Sequence, residues 1–368
     1  MLTTVLICWR FARNNRRGLS MKTILFLCGA KKSYVRNAMN LKMLKKNAKV
    51  IEIDSNARSY YLRLPLILLR FIFCHQKYDL VFVGFLGQTL MPFVKLRTKK
   101  PIIFDAFISL YDTLCFDRKI FRSGSLIGKL VFWLDKKSCQ WAYKIINDTN
   151  THADYFSKTF NIKIEKIQTI YLGADTDIFY PRSAPKNNDK FIVFYYGSGL
   201  PLQGIDIILK AAKIIEKNEK IVFQLVGPIR KKYKSLINHL KPKNVEFTDW
   251  IPYEQLPEKI AQTDICLGGH FSNIDKAKRV ISGKTYQFLA MKKPTIVGDN
   301  PANRELFEHK KNVYMVRISD PQSLADGILE FNDNPQLAAR IAEDGYKSFN
   351  NIMQKTAFAF SGIFSYEQ

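Results

Sequence analysis

The first half of the chain alternates short apolar runs with longer amphipathic segments. The runs are rich in β-branched and aromatic residues, and the segments between them place apolar residues at helical spacing. This alternation is typical of βαβ units, which build parallel sheets covered by helices. We therefore predict strands at Thr23–Cys28, Lys49–Ile53, Leu80–Val83, Pro101–Phe104 and Lys144–Asn147, with helices between them.

A second series of the same kind follows Pro181–Asp189, a stretch rich in turn-forming residues. Its first strand, Phe191–Tyr196, precedes a helix in which Ile205, Ile208 and Leu209 recur at helical spacing. Further strands are predicted at Ile221–Val226, Val245–Phe247, Ile265–Leu267, Pro294–Val297 and Val313–Val316, and closing helices at Pro321–Phe331 and Pro335–Ser348. The pattern predicts an α/β protein with two parallel sheets.

Length and charge add two constraints. The 368 residues are about twice the length of a usual single domain, which favours two domains. The net charge is +25, and the first hundred residues alone hold twenty Lys or Arg and only three acidic residues. So positive an end attracts anionic surfaces such as phospholipid headgroups or nucleic acid. The alternative is a general lysine bias that keeps the protein in solution.

Several other signals are missing from the sequence. The six cysteines form no C-x-x-C pair and lie mostly in apolar runs, which indicates reduced core residues of a cytosolic protein. The five histidines are isolated, so no metal-ligand spacing is found. The longest apolar stretch, Tyr60–Cys74, is shorter than the ~20 residues of a spanning helix. Residues 1–20 carry their charges after an apolar run, so we interpret them as a basic arm or an over-long start.

Motifs of the second half resemble those of glycosyltransferase family 4. They are the loop Tyr196–Gly204, the stretch Phe247–Pro252, the segment Lys284–Met291 with Lys293 and Pro294, and the pair Leu324-Ala325; the linker Tyr171–Asp175, with Phe179 and Pro181, is similar to the family's hinge. Their order and spacing hold from about Lys22 to Phe349. The resemblance implies the GT-B fold, in which two Rossmann-like domains with parallel sheets face each other across a cleft.

The same resemblance implies a domain organisation and a reaction. Residues 21–180 would form the acceptor domain, residues 181–349 the donor domain, and residues 350–368 a C-terminal helix that could pack back on the first domain. The reaction would move a sugar from a UDP- or GDP-linked donor to a glycan or lipid-linked acceptor. The family implies retention of the anomeric configuration, without a metal or other cofactor.

Two departures from the family pattern concern the donor site. The family often has Arg and Lys in the first loop of the donor domain, where this sequence has Ser198 and Gln203. It also often has two Glu eight residues apart, where this sequence has Arg279 and Gln287. The sequence instead resembles a sub-branch with a P-L-[HQ]-G loop and a K-A-x-R-V-I segment, matched by Lys276–Ile281.

Cations near the last motif could replace the missing ones. Breaking the donor's glycosidic bond leaves negative charge on the diphosphate, which cations and backbone N–H groups must neutralise. Lys276, Arg279 and Lys284 surround a predicted helix start at which Gly283 lets the backbone approach a phosphate. We therefore assign catalytic roles to Arg279 and Lys284, and donor binding to Lys276 and Gly283. The alternative is a solvated basic loop.

The remaining donor contacts follow from the resemblance and from side-chain chemistry. The first loop of the donor domain contributes Gly197, Ser198, Gln203 and Gly204. Gln287 shares a helix face with Lys284, and its amide can bond a ribose hydroxyl. Trp250 and Ile251 stand where related proteins hold the nucleotide base, and a core position for Trp250 is the alternative.

Acidic residues are the candidates on the acceptor side. Asp105 ends a predicted strand, at the edge where parallel sheets bind ligands. Asp105 or Asp112 could orient or deprotonate an acceptor hydroxyl, and we assign the catalytic role to Asp105. Helix capping is the alternative for both, and it also accounts for Asp148 and His152.

Two other function classes fit parts of the sequence. A sugar-nucleotide epimerase can share the two-domain plan, and it would need no second substrate. A nucleic-acid-binding module could use the basic half, but aromatic-interleaved basic motifs are missing, so nucleic acid is not an expected partner. We expect a cytoplasmic glycosyltransferase that docks on the inner face of an anionic membrane through its first helix and through Leu64, Leu68 and Phe71. A helix of the protein core is the alternative for the segment that holds these three residues.

Overall fold

The structure, a computed structural model, describes residues 22–55, 57–184 and 189–364. The predicted basic arm, residues 1–20, lies outside these ranges. The chain divides into two compact units, residues 1–103 and 104–368. The domain boundary expected between residues 180 and 181 stays a prediction.

The strands of the described residues form two six-stranded sheets. The first contains β1 (Thr23–Cys28), β2 (Lys49–Ile53), β3 (Leu80–Gly84), β4 (Ile102–Asp105), β5 (Lys144–Asn147) and β6 (Ile167–Thr169). The second contains β7 (Phe191–Tyr196), β8 (Ile221–Val226), β9 (Val245–Thr248), β10 (Ile265–Leu267), β11 (Thr295–Asp299) and β12 (Tyr314–Arg317). Every predicted strand is confirmed, and β6, at three residues too short for a clear pattern, was not predicted.

The helices of the described residues lie between the strands. They are α1 (Val35–Asn47), α2 (Tyr60–Ile72), α3 (Met91–Arg97), α4 (Leu126–Trp141), α5 (Asn150–Phe160), α6 (Ile205–Ile214), α7 (Ile229–Lys232), α8 (Lys234–Leu240), α9 (Leu256–Ala261), α10 (Asp275–Arg279), α11 (Gly283–Ala290), α12 (Pro301–Arg304), α13 (Pro321–Asp333) and α14 (Pro335–Gly362). A π-helical turn covers Asp112–Asp117. No helix among residues 22–55, 57–184 and 189–364 is long and apolar enough to cross a bilayer.

The order of the strands in each sheet determines which loops lie where a ligand could bind. The first sheet has the order β2-β1-β3-β4-β5-β6 and the second β12-β11-β10-β7-β8-β9. In the second sheet β7 pairs in parallel with β8 on one side and with β10 on the other. Counted within that sheet, the order is 3-2-1-4-5-6, which is the Rossmann order. The prediction of an α/β protein with two parallel sheets is confirmed.

The core of the second sheet follows the predicted apolar face. On α6, the side chains of Ile205, Ile208 and Leu209 are fully buried, and they belong to one cluster with β7, β8 and α13. Both faces of the parallel sheet are covered, so these strands are apolar in consecutive positions. The helical period in the sequence therefore identified the buried face correctly.

The closing helices differ from the prediction in one respect. We predicted an end near Ser348 and a separate helix over residues 350–368, whereas α14 runs without a break to Gly362. Its buried residues Phe349, Ile352 and Phe360 continue the helical spacing, so nothing in the packing stops the helix. Near its end, Gln168 Nε2 on β6 donates to the carbonyl oxygen of Ala359 at 2.9 Å.

A close backbone approach joins the ends of β7 and β8. Gly227 has φ of +127°, and a Cβ built there would lie 1.9 Å from the carbonyl oxygen of Gly197. The Gly197 N–H also donates to the carbonyl oxygen of Val226 at 2.9 Å. Only glycine fits a position that combines this backbone angle with so short a distance.

We expect Gly227→Ala to lower the free energy of unfolding by at least about 2 kcal/mol, because the methyl group meets backbone rather than a movable side chain. Gly124→Ala is the matched control, since a Cβ at Gly124 meets nothing within 4 Å. Urea denaturation of both variants measures the difference. Equal stability of the two variants would contradict the close approach.

Candidate active site

The loops after β7 and β10 form the candidate site. Strand order in the second sheet reverses between these two neighbouring strands, and α/β sheets bind ligands at such a switch point, beyond the carboxyl ends of the strands. The β7 loop carries the predicted residues Gly197, Ser198, Gln203 and Gly204, and the β10 loop leads into α10 with Lys276 and Arg279. The sequence therefore placed most of the predicted donor residues at one edge.

Hydrogen bonds hold the β7 loop in shape. Gln203 Oε1 accepts from the Tyr195 hydroxyl at 2.9 Å and from the Leu200 N–H at 3.1 Å. Gly204 has φ of +72°, and a Cβ there would lie 2.7 Å from the Ser272 nitrogen of the β10 loop. Gln203 and Gly204 thus position the loop, and no cation stands at either family position.

A cation that the sequence analysis missed reaches this loop from α7. Lys232 Nζ donates to the carbonyl oxygen of Ser198 at 2.6 Å, and both residues are exposed. Lys232 lies 34 residues after Ser198. Sequence spacing gave no signal for this contact, because the distance in space between Lys232 and Ser198 depends on how the loop after β8 folds back.

Lys276 and Arg279 are paired with acids of the π-helical turn. Lys276 Nζ lies 2.8 Å from Thr113 Oγ1 and 3.4 Å from Asp117 Oδ2. Arg279 Nη2 lies 2.8 Å from Asp112 Oδ1. Burial lowers the pKa of Lys276, and the nearby Asp117 carboxylate opposes that shift. The alternative of a solvated basic loop is wrong for these two side chains.

Arg279 makes further contacts with α5. Its guanidinium lies 4.1 Å from the centre of the Tyr155 ring, and its carbonyl oxygen accepts from the Thr149 hydroxyl. Its Nε is buried without a hydrogen-bond partner. The guanidinium is therefore oriented by a carboxylate and a ring, and its buried Nε–H is available to a ligand.

Among Lys276, Arg279 and Lys284, only Lys284 has no carboxylate among the described contacts. Its side chain is 7% exposed, its Nζ lies 3.2 Å from Ser282 Oγ and 4.8 Å from the centre of the Tyr195 ring. Burial lowers the pKa of Lys284 to about 7. A lysine in this state readily gains a proton when an anion binds beside it.

His270 is a second buried group that sequence reasoning missed. It follows β10, is 7% exposed, and its Nδ1 has no hydrogen-bond partner. Burial first, and then the charges of Lys284 and Lys276, lower its pKa to about 3. A neutral imidazole thus stands near two lysines, where it can accept or donate a hydrogen bond without adding charge.

The predicted ribose and base contacts have different surroundings. Gln287 is buried, with its Oε1 accepting from the Tyr196 hydroxyl and its Nε2 donating to the Tyr253 hydroxyl at 2.8 Å. Both ends of its amide are therefore occupied. Trp250 is 74% exposed, so the core alternative for it is wrong, and Ile251 beside it is half-buried.

Gly283 begins α11, as predicted. A Cβ there would lie 2.9 Å from Leu172 Cδ2, a residue of the linker Tyr171–Asp175. Packing against this linker is therefore one reason for glycine at position 283, beside any approach to a phosphate.

The acidic candidates are buried at strand ends and turns. Asp105 ends β4 and is 1% exposed. Asp112 lies inside the π-helical turn, whose N-cap is Tyr111, so the capping alternative for Asp112 is wrong. Its second oxygen, Oδ2, is buried without a hydrogen-bond partner. Asp112 thus holds Arg279 with one oxygen and leaves the other for a hydroxyl.

Asp148 and His152 form a pair with each other. His152 Nδ1 lies 2.7 Å from Asp148 Oδ1, and both side chains are buried. The N-cap of α5 is Thr149, whose hydroxyl oxygen accepts from the His152 N–H. The capping alternative is therefore wrong for both side chains. The His152 Nε2 has no hydrogen-bond partner.

Glu305, which follows α12, holds the start of α5. Its carboxylate accepts from the N–H groups of Asn150 and Thr151 at 2.8 and 2.7 Å, and from the Tyr171 hydroxyl at 3.0 Å. A carboxylate at a helix N-terminus is favoured by the helix dipole. This contact adds to those of Lys276 and Arg279 in joining residues 104–180 to residues 189–349.

Buried polar atoms without partners are concentrated at the candidate site. They include Asp112 Oδ2, Asp117 Oδ1, Arg279 Nε, His270 Nδ1 and Thr285 Oγ1. Each such atom is costly in a folded protein unless water or a ligand bonds to it. No set of three His, Cys, Asp or Glu within residues 22–55, 57–184 and 189–364 is placed to hold a metal. Arg279 Nε and Thr285 Oγ1 could donate to an anion, whereas the oxygens of Asp112 and Asp117 could accept from a hydroxyl.

The pKa of Lys284 predicts a pH dependence of stability. Its folded pKa of about 7 lies below the unfolded value of 10.5, so the unfolded state binds more protons between these pH values. This group therefore makes the protein more stable as pH rises through that window, by at most about 1.4 kcal/mol per pH unit.

We expect Lys284→Met to be more stable than the wild type at pH 7 and to lose that advantage towards pH 10. Urea denaturation at several pH values measures the trend. Lys158→Met, which changes an exposed lysine of α5, serves as the control. A constant difference between Lys284→Met and the wild type across this range would show that Lys284 is not buried as a neutral amine.

Comparisons with known proteins give a match to one sequence profile and matches to the fold. The sequence profile described as glycosyl transferases group 1 matches residues 177–348. A search of curated proteins finds no match. The fold matches Anabaena HepE in complex with UDP and glucose, with a TM-score of 0.68, 16% identity, and coverage of 93% of this chain and 100% of that one.

Two further solved structures show the same fold. Sucrose-phosphate synthase from Thermosynechococcus elongatus has a TM-score of 0.72 at 14% identity, covering 94% of this chain and 98% of its own. A glycosyltransferase from Rickettsia africae has a TM-score of 0.65 at 15% identity, covering 95% and 100%. Assignment to family 4 in particular stays a prediction. The profile match covers residues 177–348, less than half of the chain, and the two Rossmann-like sheets together with the solved structures show that the chain has the GT-B fold.

Proposed function

We propose that the protein moves a sugar from a UDP-linked donor to a hydroxyl of a glycan or lipid-linked acceptor, with retention of the anomeric configuration. The observation that carries the donor part is the buried Lys284, which has no carboxylate among the described contacts and lies close enough to His270 to lower its pKa. The complex of HepE with UDP and glucose favours UDP over GDP as the nucleotide.

The diphosphate would bind where positive charge is available without breaking a contact. Lys284 would meet it first and take up a proton, because an adjacent anion favours the charged form. Arg279 and Lys276 would follow if the phosphate oxygens replace Asp112 and Asp117 as their partners. Lys232 and the N–H groups of the β7 loop would add further donors.

The base and ribose would lie towards Trp250 and α11. The exposed ring of Trp250 can stack on a base, as aromatic side chains do in other nucleotide sites. A ribose hydroxyl could replace one of the two tyrosine partners of Gln287. Gln287 would then bind the ribose by giving up one of its hydrogen bonds to a tyrosine, since neither end of its amide is unoccupied.

The acceptor hydroxyl would bond to Asp112 or Asp105. Asp112 is favoured because its Oδ2 has no partner, and its Oδ1 would also become available if Arg279 turns to the diphosphate. In the transfer, the acceptor oxygen forms a bond to the anomeric carbon, the bond from that carbon to the phosphate oxygen breaks, and the acceptor proton passes to the leaving phosphate. Lys284 and Arg279 would stabilise the negative charge on that phosphate.

Docking on a membrane is proposed from the first unit. Its basic residues are only partly available, because Lys32 and Lys45 pair with Glu52 and Arg36 is buried.

Phe71 is 2% exposed, so its predicted contact with lipid is wrong. The opposite stripe of α2 is exposed instead, with Leu62, Leu66, Leu69 and Phe73 at spacings of four, three and four. We propose a peripheral location on the cytoplasmic face of a membrane.

We expect Lys284→Met and Arg279→Ala each to weaken UDP binding at least tenfold, since a charge-assisted hydrogen bond contributes about 1.5 to 3 kcal/mol. Isothermal titration with UDP and GDP measures the affinities and the preferred nucleotide.

Arg279→Ala also leaves the Asp112 carboxylate buried without its partner, which can destabilise the fold. The double variant Arg279→Ala with Asp112→Asn removes that charge and separates folding from binding. Lys158→Met is the control, because it removes one positive charge at a position away from the site. Wild-type affinity in both Lys284→Met and Arg279→Ala would refute the assignment.

We further expect turnover to survive chelation, because lysine and arginine side chains supply the positive charge that a metal gives other transferases. The measurement is release of UDP from a panel of UDP-sugars, with and without EDTA, in the presence of a mixed lipid extract. Loss of turnover in EDTA and its recovery with Mg²⁺ or Mn²⁺ would contradict the metal-free mechanism. Conversion of the sugar nucleotide without any acceptor would indicate an epimerase.

A further inference from the structure

An exposed apolar surface lies directly beside the acidic turn of the candidate site. We name it the 116–133 patch, and it consists of Phe116, Ile120, Leu126, Ile127, Leu130 and Trp133. Their exposed fractions run from 44% to 87%. Large exposed apolar clusters on a soluble protein usually mark a binding surface.

The helix α4 shows why these residues form one face. Leu126, Leu130 and Trp133 follow each other at spacings of four and three, while Val131 and Cys139 lie on the buried side. The exposed stripe is therefore not needed for the core. Both faces of α4 carry apolar residues, and the part of the chain that the structure describes covers only one of them.

The preceding loop is held against the start of α4. A Cβ at Gly128 would lie 2.4 Å from the carbonyl oxygen of Arg122, so the loop packs on the helix where glycine leaves room. Ser125 caps the helix by accepting from the Gly128 N–H at 3.1 Å, and its hydroxyl donates to the Arg122 carbonyl at 2.7 Å. Loop and helix therefore present one surface.

The charges around the patch are of one sign. Residues 116–137 contain six basic side chains, Arg118, Lys119, Arg122, Lys129, Lys136 and Lys137. The two acids of this segment, Asp117 and Asp135, are both buried. Asp117 faces Lys276, and Asp135 Oδ2 accepts from the Ser109 hydroxyl and the Tyr111 N–H. The exposed charge of residues 116–137 is therefore entirely positive.

The patch shares an element with the candidate site. Phe116 lies in the π-helical turn that also carries Asp112 and Asp117, the partners of Arg279 and Lys276. The ring of Tyr111 contacts the rings of Phe116 and Phe132 at centroid distances of 5.3 and 5.1 Å. A surface that binds the patch would thus lie beside the residues proposed to meet the acceptor.

We propose that the 116–133 patch docks on an anionic lipid bilayer. Apolar side chains with a tryptophan among them, surrounded by lysine and arginine, match the interface of such a bilayer. Each basic residue near an anionic surface contributes about 1 kcal/mol, and burial of the leucines adds to that. An acidic protein surface would also complement the positive charge, and the tryptophan and the leucines favour a bilayer instead. The inference rests on the proposed transfer to an acceptor held at a membrane.

The test compares binding to vesicles of phosphatidylcholine alone with binding to vesicles that also contain phosphatidylglycerol. We expect the wild type to bind the acidic vesicles and Leu126→Ser/Leu130→Ser to bind them at least tenfold more weakly. Lys119→Gln/Arg122→Gln/Lys129→Gln should weaken binding similarly and reduce its dependence on salt. The matched control is Phe358→Ser, which removes an exposed aromatic side chain of α14.

Parallel measurements distinguish this surface from α2 and from the donor site. Quenching of tryptophan fluorescence by brominated lipid should fall in Trp133→Phe. Vesicle binding by Leu62→Ser/Leu66→Ser measures the contribution of α2 instead. UDP affinity in solution should be unchanged in Leu126→Ser/Leu130→Ser. Membrane docking and sugar transfer are therefore tested separately, and either proposal can fail without the other.

Wild-type vesicle binding by Leu126→Ser/Leu130→Ser would overturn the proposal. So would self-association of the lipid-free wild type that the same double variant abolishes, since a second copy would then cover the patch. Tighter binding of the wild type to single-stranded nucleic acid than to acidic vesicles would overturn it as well.

Discussion

The structure around the candidate site depends on compensation of buried positive charge. Arg279 and Lys276 come from the donor half of the sequence, and their carboxylate partners Asp112 and Asp117 come from a turn about 160 residues earlier. Removing one partner of such a pair leaves an uncompensated charge in a poorly solvated place. These two pairs, with the Glu305 clamp on α5, therefore fix how residues 104–180 meet residues 189–349.

The same compensation divides the cations into two groups with different chemistry. Arg279 and Lys276 are held by carboxylates, whereas burial without a carboxylate lowers the pKa of Lys284 to about 7. An incoming diphosphate would satisfy Lys284 directly and would compete with the acids for the other two. Donor binding and contact with the acidic turn would then be linked through shared cations, and that turn also carries Phe116 of the 116–133 patch.

The exposure of surface side chains was predicted less well from the sequence than the burial of core side chains. Helix α2 was expected to offer Phe71 to lipid, but that side chain packs inside, and the stripe of Leu62, Leu66 and Leu69 is exposed. The 116–133 patch was not predicted at all, because an apolar stripe at helical spacing has the same pattern whether it is buried or open. Only the burial of Asp117 and Asp135 shows that its outer charge is of one sign.

The sequence by itself determined the strands, the apolar face of α6 and the positions of the loops that carry the proposed donor residues, because local spacing of apolar side chains and glycines encodes them. It also identified Arg279 and Lys284 as candidates by charge. Tertiary structure decided their partners, the exposure of Trp250 and the arrival of Lys232 at Ser198. These depend on distances between residues far apart in the chain, and such distances exist only after the sheets have packed.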